Sequence, residues 1–343
     1  MDASELVRQA TGARAARRET VLQTLWSGYG EIVRYRLEGA RAASAILKHV
    51  VFPTRQDHPR GWNNDRSHQR KVSSYAVEMT WYRVWAAPDD PHCRMPRCLA
   101  IDTEGTQHRI VLEDLDAAGY PLRKTRLDRD QARLCLVWLA RFHARFLGVV
   151  PEGLWPEGSY WHLATRPDEW AAIADPAIRA SASALDAALR GARYRSIVHG
   201  DAKVANFCFA ADGRAVAALD FQYAGGGCGM RDVAYFLGSA LSEREQEDWE
   251  DELLDAYFDA LRTALQQAGR GAEATPVEHE WRTLFPVAQA DFYRFLVGWS
   301  PEHWKIHDFS RRRALAVVRE IQSAASSVAA SGPERTDSAT SSQ

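Results

Sequence analysis

Residues 197–222 read IVHGDAKVANFCFAADGRAVAALDFQ and form a β-rich island between segments of helical periodicity. Residues 206–209 and 215–219 have the composition of two short strands, and Asp212-Gly213 is a typical turn between them. A hairpin centred on Gly213 places Asn206 opposite Asp220 at its open end, whereas a two-residue turn shifts the pairing by one residue. The island therefore predicts that an amide and a carboxylate converge, with Asp201 one loop away.

These three side chains suit the chemistry of a bound phosphate. Mg²⁺ takes a few protein oxygens and completes its shell with substrate phosphates, as Asn206 and Asp220 would allow. Asp201 has the chemistry to accept a proton from a substrate hydroxyl. Alone, each Asp is better explained as a turn or strand-end residue. The combined pattern H-G-D-x-x-x-x-N followed by L-D-F favours the chemical interpretation.

The segments HGDAKVANF (199–207) and LDFQ (219–222) resemble the phosphotransferase motifs of small-molecule kinases. This class includes aminoglycoside phosphotransferases, choline kinases and ecdysteroid kinase-like proteins, and LDFQYAGGGCGMRDVAYFLGSAL (219–241) looks most like the last group. The resemblance covers residues 25–325. It implies an α+β, protein-kinase-like fold of two lobes, with a small antiparallel-sheet N-lobe that holds one key helix and a mostly helical C-lobe.

The same resemblance implies an activity. An ATP-dependent phosphotransferase would move the γ-phosphoryl group to a hydroxyl of a small molecule, with Asp201 as the catalytic base and Asn206 and Asp220 holding Mg²⁺. Asp-Phe-Gln stands where protein kinases have Asp-Phe-Gly, and no Ala-Pro-Glu segment follows. Both departures favour a small-molecule kinase over a protein kinase. The alternative from another class is a nucleotide-binding, kinase-like regulator that has lost catalysis.

The first half of the chain fits a small sheet with an embedded helix. The pattern predicts a helix over 1–26, strands near 31–38, 43–52, 97–101 and 107–112, a loop over 53–70 and a helix over 72–86. We expect residues 1–115 to form the nucleotide-binding N-lobe and residues 116–330 the C-lobe with the catalytic loop and acceptor site. Residues 331–343 lack apolar side chains and are expected to be disordered.

Two charged residues of this half are candidates for a phosphate anchor. Lys48 shares a strand face with apolar residues, where an ammonium is costly unless it is paired. Glu78, on the following helix, is the partner that kinases provide. The competing interpretations are an edge-strand lysine and a surface acid.

Backbone segments complete the expected nucleotide site. Gly28 and Gly30 precede the first predicted strand, where kinases place a glycine-rich loop over the phosphates, although a plain turn explains them equally well. The resemblance places the adenine edge against the backbone at Glu113 and Leu115, which otherwise read as a strand end. Lys203 is either a stabiliser of the transferring phosphoryl group or a solvated lysine.

Other features of the second half are given structural interpretations. His199 is expected to orient the catalytic loop. The glycines at 225, 226, 227 and 229 read as a tight connector that leads to Asp232 as the N-cap of a helix over 233–241. Capping boxes begin at Asp128 and Ser242. The acidic run over 243–252 either is a solvated helix face or borders a site for a cationic substrate.

Composition limits the remaining possibilities. The 343 residues carry a formal net charge of −2, so no nucleic-acid or membrane partner is expected. Five cysteines without a repeated spacing argue against a disulfide framework and favour the cytoplasm. The many tryptophans of the second half suit an apolar, steroid-like or quaternary ammonium acceptor, but the motifs do not identify it. The oligomeric state is also left open.

Overall fold

The first half of the chain folds around a five-stranded antiparallel sheet with the strand order β1-β2-β3-β5-β4. The computed structural model describes residues 2–25, 28–52 and 65–330. The elements of this half are α1 (Ala3–Thr11), β1 (Ala15–Thr24), β2 (Gly30–Glu38), β3 (Ser44–Val51), α2 (Asp65–Thr80), a π-helical turn (Trp81–Trp85), β4 (Cys98–Glu104) and β5 (Gln107–Glu113).

The second half is mostly helical, and this confirms the predicted α+β, two-lobe, protein-kinase-like fold. Its helices are α3 (Arg129–Arg145), α4 (Pro167–Ala171), α5 (Pro176–Arg190), α6 (Met230–Ala240), α7 (Glu243–Gln267), α8 (Ala274–Trp299) and α9 (Asp308–Ala330). Its short strands are β6 (Ser196–Val198), β7 (Phe207–Phe209), β8 (Val216–Ala218) and β9 (Gly225–Gly227). Both predicted capping boxes form, at the starts of α3 and α7. Within the described residues, no helix is long and apolar enough to cross a bilayer.

The prediction of one helix over residues 1–26 is wrong. Helix α1 ends at Thr11 because Gly12 adopts a left-handed conformation, with φ 64°, that closes the helix. The chain then runs as β1 along the edge of the sheet, paired with β2. Gly28 therefore lies in the connection between β1 and β2, and Gly30 is the first residue of β2, so neither lies before the first strand of the sheet. Trp26 and Ser27 lie outside the described residues.

The central position of β3 decides the environment of Lys48. This strand pairs with β2 on one side and β5 on the other, so that Lys48 lies between Ile32 and Ile110. The alternative of an edge-strand lysine is therefore wrong. The four predicted strands of this half are present as β2 to β5 with small changes at their ends.

Helix α2 carries the chain from the sheet to the second half. It begins at Asp65, so its first six residues fall in the predicted loop; residues 53–64 of that loop lie outside the described part of the chain. Directly after α2, the buried Trp81 stacks on Phe221, with ring centroids 4.5 Å apart. This contact holds the end of α2 against the residue that follows Asp220.

The β-rich island forms a hairpin with a register one residue away from the centred one. Phe207 pairs with Ala218, and the N–H of Leu219 donates to the carbonyl of Asn206. Leu219, and not Asp220, therefore lies opposite Asn206. The centred pairing is wrong, and the alternative register, shifted by one residue, is the one observed, because the turn over 211–214 has an even number of residues.

Two expectations for the glycine-rich segment are also wrong. Gly225–Gly227 is strand β9, paired with β6, and a Cβ atom at Gly225 would overlap the carbonyl oxygen of Trp155. The glycines thus allow close backbone packing and are not only a connector. Asp232 lies inside the first turn of α6, whose N-cap is Gly229, so it is free to bind elsewhere.

Candidate active site

A buried ion pair joins the sheet to helix α2. The Nζ atom of Lys48 lies 2.8 Å from Oε1 and 2.7 Å from Oε2 of Glu78, and 3.4 Å from Oδ1 of Asp220. Burial alone would lower the pKa of Lys48, but the carboxylates of Asp220 and Glu78 raise it above its usual value. The ammonium therefore remains charged where β3, α2 and the end of β8 meet.

Asp220 has a backbone conformation that is rare outside glycine. Its φ angle is 67°, the only positive φ of a non-glycine residue in the described ranges. Burial would raise the pKa of its carboxyl, but Lys48, Lys203 and Lys71 together lower it. The residue is therefore a charged acceptor among lysines.

The side chain of Asp201 is fixed by three donors. Tyr235 donates its hydroxyl to Oδ1 at 3.1 Å, while the Nζ atom of Lys203 and the Nδ2 atom of Asn206 donate to Oδ2 at 2.8 and 3.0 Å. The Asn206 amide also donates to the backbone carbonyl of Asp201 at 2.8 Å. Burial would lower the pKa of Lys203, but Asp201 raises it, so the ammonium beside the carboxylate stays charged.

Asp232 binds the backbone of the loop that carries Asp201. Its carboxylate accepts from the backbone N–H groups of His199 and Gly200 at 2.5 and 2.8 Å, and it lies 3.1 Å from Nε2 of His143. The imidazole of His199 contacts the carbonyl of Leu219 at 3.1 Å and accepts from the N–H of Asp201 at 3.3 Å. His199 therefore links the loop that carries Asp201 to the segment before Asp220.

The donor set at the hairpin fits a Mg²⁺ ion that completes its shell with phosphate. Because Nδ2 of Asn206 donates to Asp201, its Oδ1 atom is the end of the amide left for other partners. Both Asn206 and Asp220 line the same cleft. The described residues contain no group of three or more His, Cys, Asp or Glu that would hold a metal alone. An ion with few protein ligands is what this site suits.

The cleft has a volume of about 330 Å³ and opens between the sheet and the hairpin. It gathers six of the predicted site residues in addition to Asn206 and Asp220: Lys48, Glu78, Glu113, Leu115 and Lys203 on its walls, with Asp201 behind Lys203 and Asn206. Gly28 and Gly30 are not part of its lining. A Cβ atom at Gly30 would overlap the carbonyl oxygen of His49, so backbone packing already explains this glycine.

Four further residues at this site were not identified from the sequence. Asp232 and Tyr235 contact the loop that carries Asp201 from α6, while Lys71 and Lys305 are partly buried lysines on which Asp201 acts electrostatically. One signal was available: the chain contains only five lysines among its 43 basic residues, and four of them lie here. The contacts of Asp232 and Tyr235 depend on the tertiary fold, and no sequence pattern indicated them.

The Lys–Glu pair above two loop carboxylates is the arrangement of a protein-kinase-like phosphotransferase. The chain belongs to the phosphotransferase enzyme family, whose sequence profile matches residues 22–268. This membership confirms the predicted class of small-molecule kinases. The finer resemblance to ecdysteroid kinase-like proteins stays a prediction.

Solved structures show the same fold. A microcompartment-associated aminopropanol kinase is 14% identical, with a TM-score of 0.50, and the match covers 93% of this chain and 94% of that one. An amicoumacin kinase complex that contains AMP-PNP and Ca²⁺ is 13% identical, with a TM-score of 0.51 and 94% of both chains covered. No curated protein matches the sequence. At these identities the likeness supports the fold and leaves the substrate open.

Proposed function

We propose that this protein transfers the γ-phosphoryl group of ATP to a hydroxyl group of a small molecule, with Asp201 as the base. The observation that carries the proposal is the Asp201 carboxylate, held by Tyr235, Lys203 and Asn206 beside the Asp220 cleft. Membership of the phosphotransferase family and the AMP-PNP in the amicoumacin kinase complex support the proposal that a nucleotide is the phosphoryl donor.

The cleft offers separate positions for the parts of the nucleotide. Lys48, kept charged and aimed by Glu78, would bind phosphate oxygens as a compact cation. The backbone at Glu113 and Leu115 would contact the adenine edge at the opposite wall. Gly28, in the connection between β1 and β2, and Gly30, the first residue of β2, do not line the cleft, so we assign neither of them a contact with the phosphates.

Asn206 and Asp220 would hold Mg²⁺. When bound, the ion would neutralise charge on the phosphate oxygens, which is most of what phosphoryl transfer requires. The positive φ of Asp220 and the hydrogen bonds of Asn206 fix these two ligands without help from the metal. The chain therefore presents a preorganised site.

Asp201 would accept the proton of the acceptor hydroxyl as that oxygen attacks phosphorus. Its three donors hold the carboxylate in one orientation, and such positioning contributes much of the rate in reactions of this kind. Lys203 lines the cleft and contacts Asp201, so it would also stabilise negative charge on the transferring group.

The acidic run over 243–252 gives no support for a cationic acceptor. Glu247 and Glu250 form ion pairs with Arg312 and Arg313 of α9, and the N–H of Phe309 donates to Glu243. The run thus serves the packing of α7 against α9.

We propose only that the acceptor is a small hydroxyl compound, and that the enzyme acts in the cytoplasm.

The decisive experiment measures ADP release with a panel of sterols, amino alcohols, aminoglycosides, macrolides and nucleosides. With any accepted compound, Asp201→Asn should fold normally and lower turnover by about two orders of magnitude or more, because the base is lost. Asp212→Asn, in the exposed hairpin turn, is the matched control and should retain wild-type turnover.

Three results would contradict the proposal. Near-normal ADP release by Asp201→Asn would remove the assigned role of this carboxylate. Nucleotide binding by the wild-type chain without ADP release across the panel would favour the inactive regulator. Transfer of labelled phosphate to peptides would indicate a protein substrate.

A further inference from the structure

Lysine is rare in this chain and concentrated at one place. Of the 43 basic residues only five are lysines, and Lys48, Lys71, Lys203 and Lys305 all lie in electrostatic reach of Asp201 or Asp220. On a solvated surface lysine and arginine both supply one positive charge. A compact ammonium differs from a planar guanidinium mainly in crowded sites, where it binds phosphate as a point charge. Lys48 and Lys203 have roles in the proposed function, but Lys71 does not.

Lys71 approaches the catalytic centre from helix α2. It shares one helical face with Ser74, Tyr75 and Glu78, at successive spacings of three, one and three residues. Its Nζ atom donates to Oε1 of Gln222 at 3.1 Å and lies 4.8 Å from the centre of the Tyr75 ring. One face of α2 therefore places Glu78 against Lys48 and also places Lys71 against the segment that follows Asp220.

Gln222 anchors this lysine with a neutral group. It is 5% exposed, and its Oε1 atom also accepts from the hydroxyl of Ser74 at 3.2 Å. Gln222 stands at the position where protein kinases have the glycine of Asp-Phe-Gly. The glutamine at this position therefore has a structural role, because its side chain binds Lys71. An amide oxygen holds the ammonium in place without neutralising its charge.

The charge of Lys71 is not balanced by a direct partner. In the ranges that the structure covers, no carboxylate forms an ion pair with it; Asp220, Glu78 and Asp201 act on it from a distance, as does the like charge of Lys48. Burial lowers its pKa to about 8. Lys71 does not line the cleft itself, but its ammonium is held by Gln222, two residues after Asp220, and both Asp220 and Asp201 act on it, so it can meet an anion that arrives with the substrate.

We propose that Lys71 binds the γ-phosphoryl group of the nucleotide and so distinguishes a nucleoside triphosphate from a diphosphate. The inference rests on the proposed function, because the group that lies between Asp220 and Asp201 during transfer is the γ-phosphoryl group. Lys48 would then contact the inner phosphates, which leave with ADP, and Lys71 would contact the γ-phosphoryl group that is transferred. Gln222 is a positioning residue that keeps the ammonium at this point.

The test compares two nucleotides by calorimetry, with the full chain and excess Mg²⁺. Lys71→Met should weaken binding of AMP-PNP by about tenfold or more, the loss expected for one charge-assisted hydrogen bond. It should change binding of ADP, which has no γ-phosphoryl group, by less than about threefold. The matched control is Lys124→Met, at the fifth lysine, whose Nζ lies over the Phe209 ring; it should leave both affinities unchanged.

A second variant keeps the test independent of folding. Gln222→Leu retains Lys71 but removes its anchor, and it should also weaken AMP-PNP more than ADP; thermal unfolding of each variant verifies the fold. Equal weakening of both nucleotides by Lys71→Met, or no change in either, would overturn the inference while leaving the proposed function intact. Failure of the wild-type chain to bind either nucleotide would instead count against the proposed function itself.

Discussion

Asp220 shows how a single residue stores strain at a site. At φ 67° an L-residue with a Cβ atom costs roughly 1–2 kcal/mol relative to the right-handed region, and Asp tolerates this conformation better than most residues. The strained conformation turns the chain between β8 and Phe221 while the carboxylate stays near Lys48. Backbone strain of this kind is expected at functional sites, where the position of a side chain matters more than its conformational cost.

This strain predicts a stability difference between two variants that both lack the carboxylate. Asp220→Gly should unfold at a free energy about 1 kcal/mol higher than Asp220→Ala, because glycine adopts a positive φ without penalty. Urea unfolding at equilibrium measures the difference. If Asp220→Ala is as stable as Asp220→Gly, the left-handed conformation carries no cost in this chain.

At the scale of residues, sequence reasoning correctly placed side chains close together where a local motif carries them. Asp201, Asn206 and Asp220 lie within 20 positions, and their spacing alone predicted that they converge. Tyr235 reaches Asp201 across 34 positions, and Lys71 reaches Gln222 across 151. Such contacts are set by how helices pack, and this is why no periodicity could indicate them.

Helix α2 is the element on which the site depends most. It places Glu78 against Lys48 of β3, and both side chains are at most 5% exposed. Burying two charges is costly, and the cost is offset only while both are present. The ion pair therefore fixes α2 against the sheet more firmly than a surface contact would.

A double-mutant cycle tests this coupling. Glu78→Leu alone should lower the free energy of unfolding by roughly 3 kcal/mol, because it leaves the buried Lys48 with only the 3.4 Å contact to Asp220. Lys48→Met with Glu78→Leu should cost clearly less than the sum of the single changes. The exposed pair Arg97–Asp89 is the control, and its coupling should stay below about 1 kcal/mol. A coupling for Lys48 and Glu78 as small as that of the control would contradict the argument.

The elements themselves were predictable to different degrees. Strands β2 to β5 and helices α3, α7 and α9 follow clear apolar patterns. Strand β1 is almost wholly exposed at the sheet edge, so it shows no alternation, and only Gly12 indicated that the first helix ends early. Strand β9 consists of three glycines, and its pairing is driven by close backbone approach, which hydrophobic patterns do not register.

Taken as a whole, the molecule gathers four of its five lysines around Asp201 and Asp220, although its net charge is only −2. Several contacts join α2 and β3 to the segment over 220–222: Lys48 to Asp220, Trp81 to Phe221, and Lys71 to Gln222. A nucleotide bound in the cleft would contact residues of both halves and would therefore bridge them. Binding and global stability are expected to be linked.

This linkage predicts the effect of ligand and metal on thermal unfolding. AMP-PNP with Mg²⁺, at about 100 times its dissociation constant, should stabilise the chain by about 2.7 kcal/mol. For a chain of this length that corresponds to a rise in Tm of roughly 4 °C. Chelation of the metal with EDTA should remove much of the rise in the wild-type chain. In Asp220→Asn, where the proposed metal ligand has lost its charge, EDTA should change the remaining rise very little. A response to EDTA in Asp220→Asn as large as in the wild type would place the ion elsewhere, because the amide at residue 220 cannot supply the attraction on which the proposed site depends.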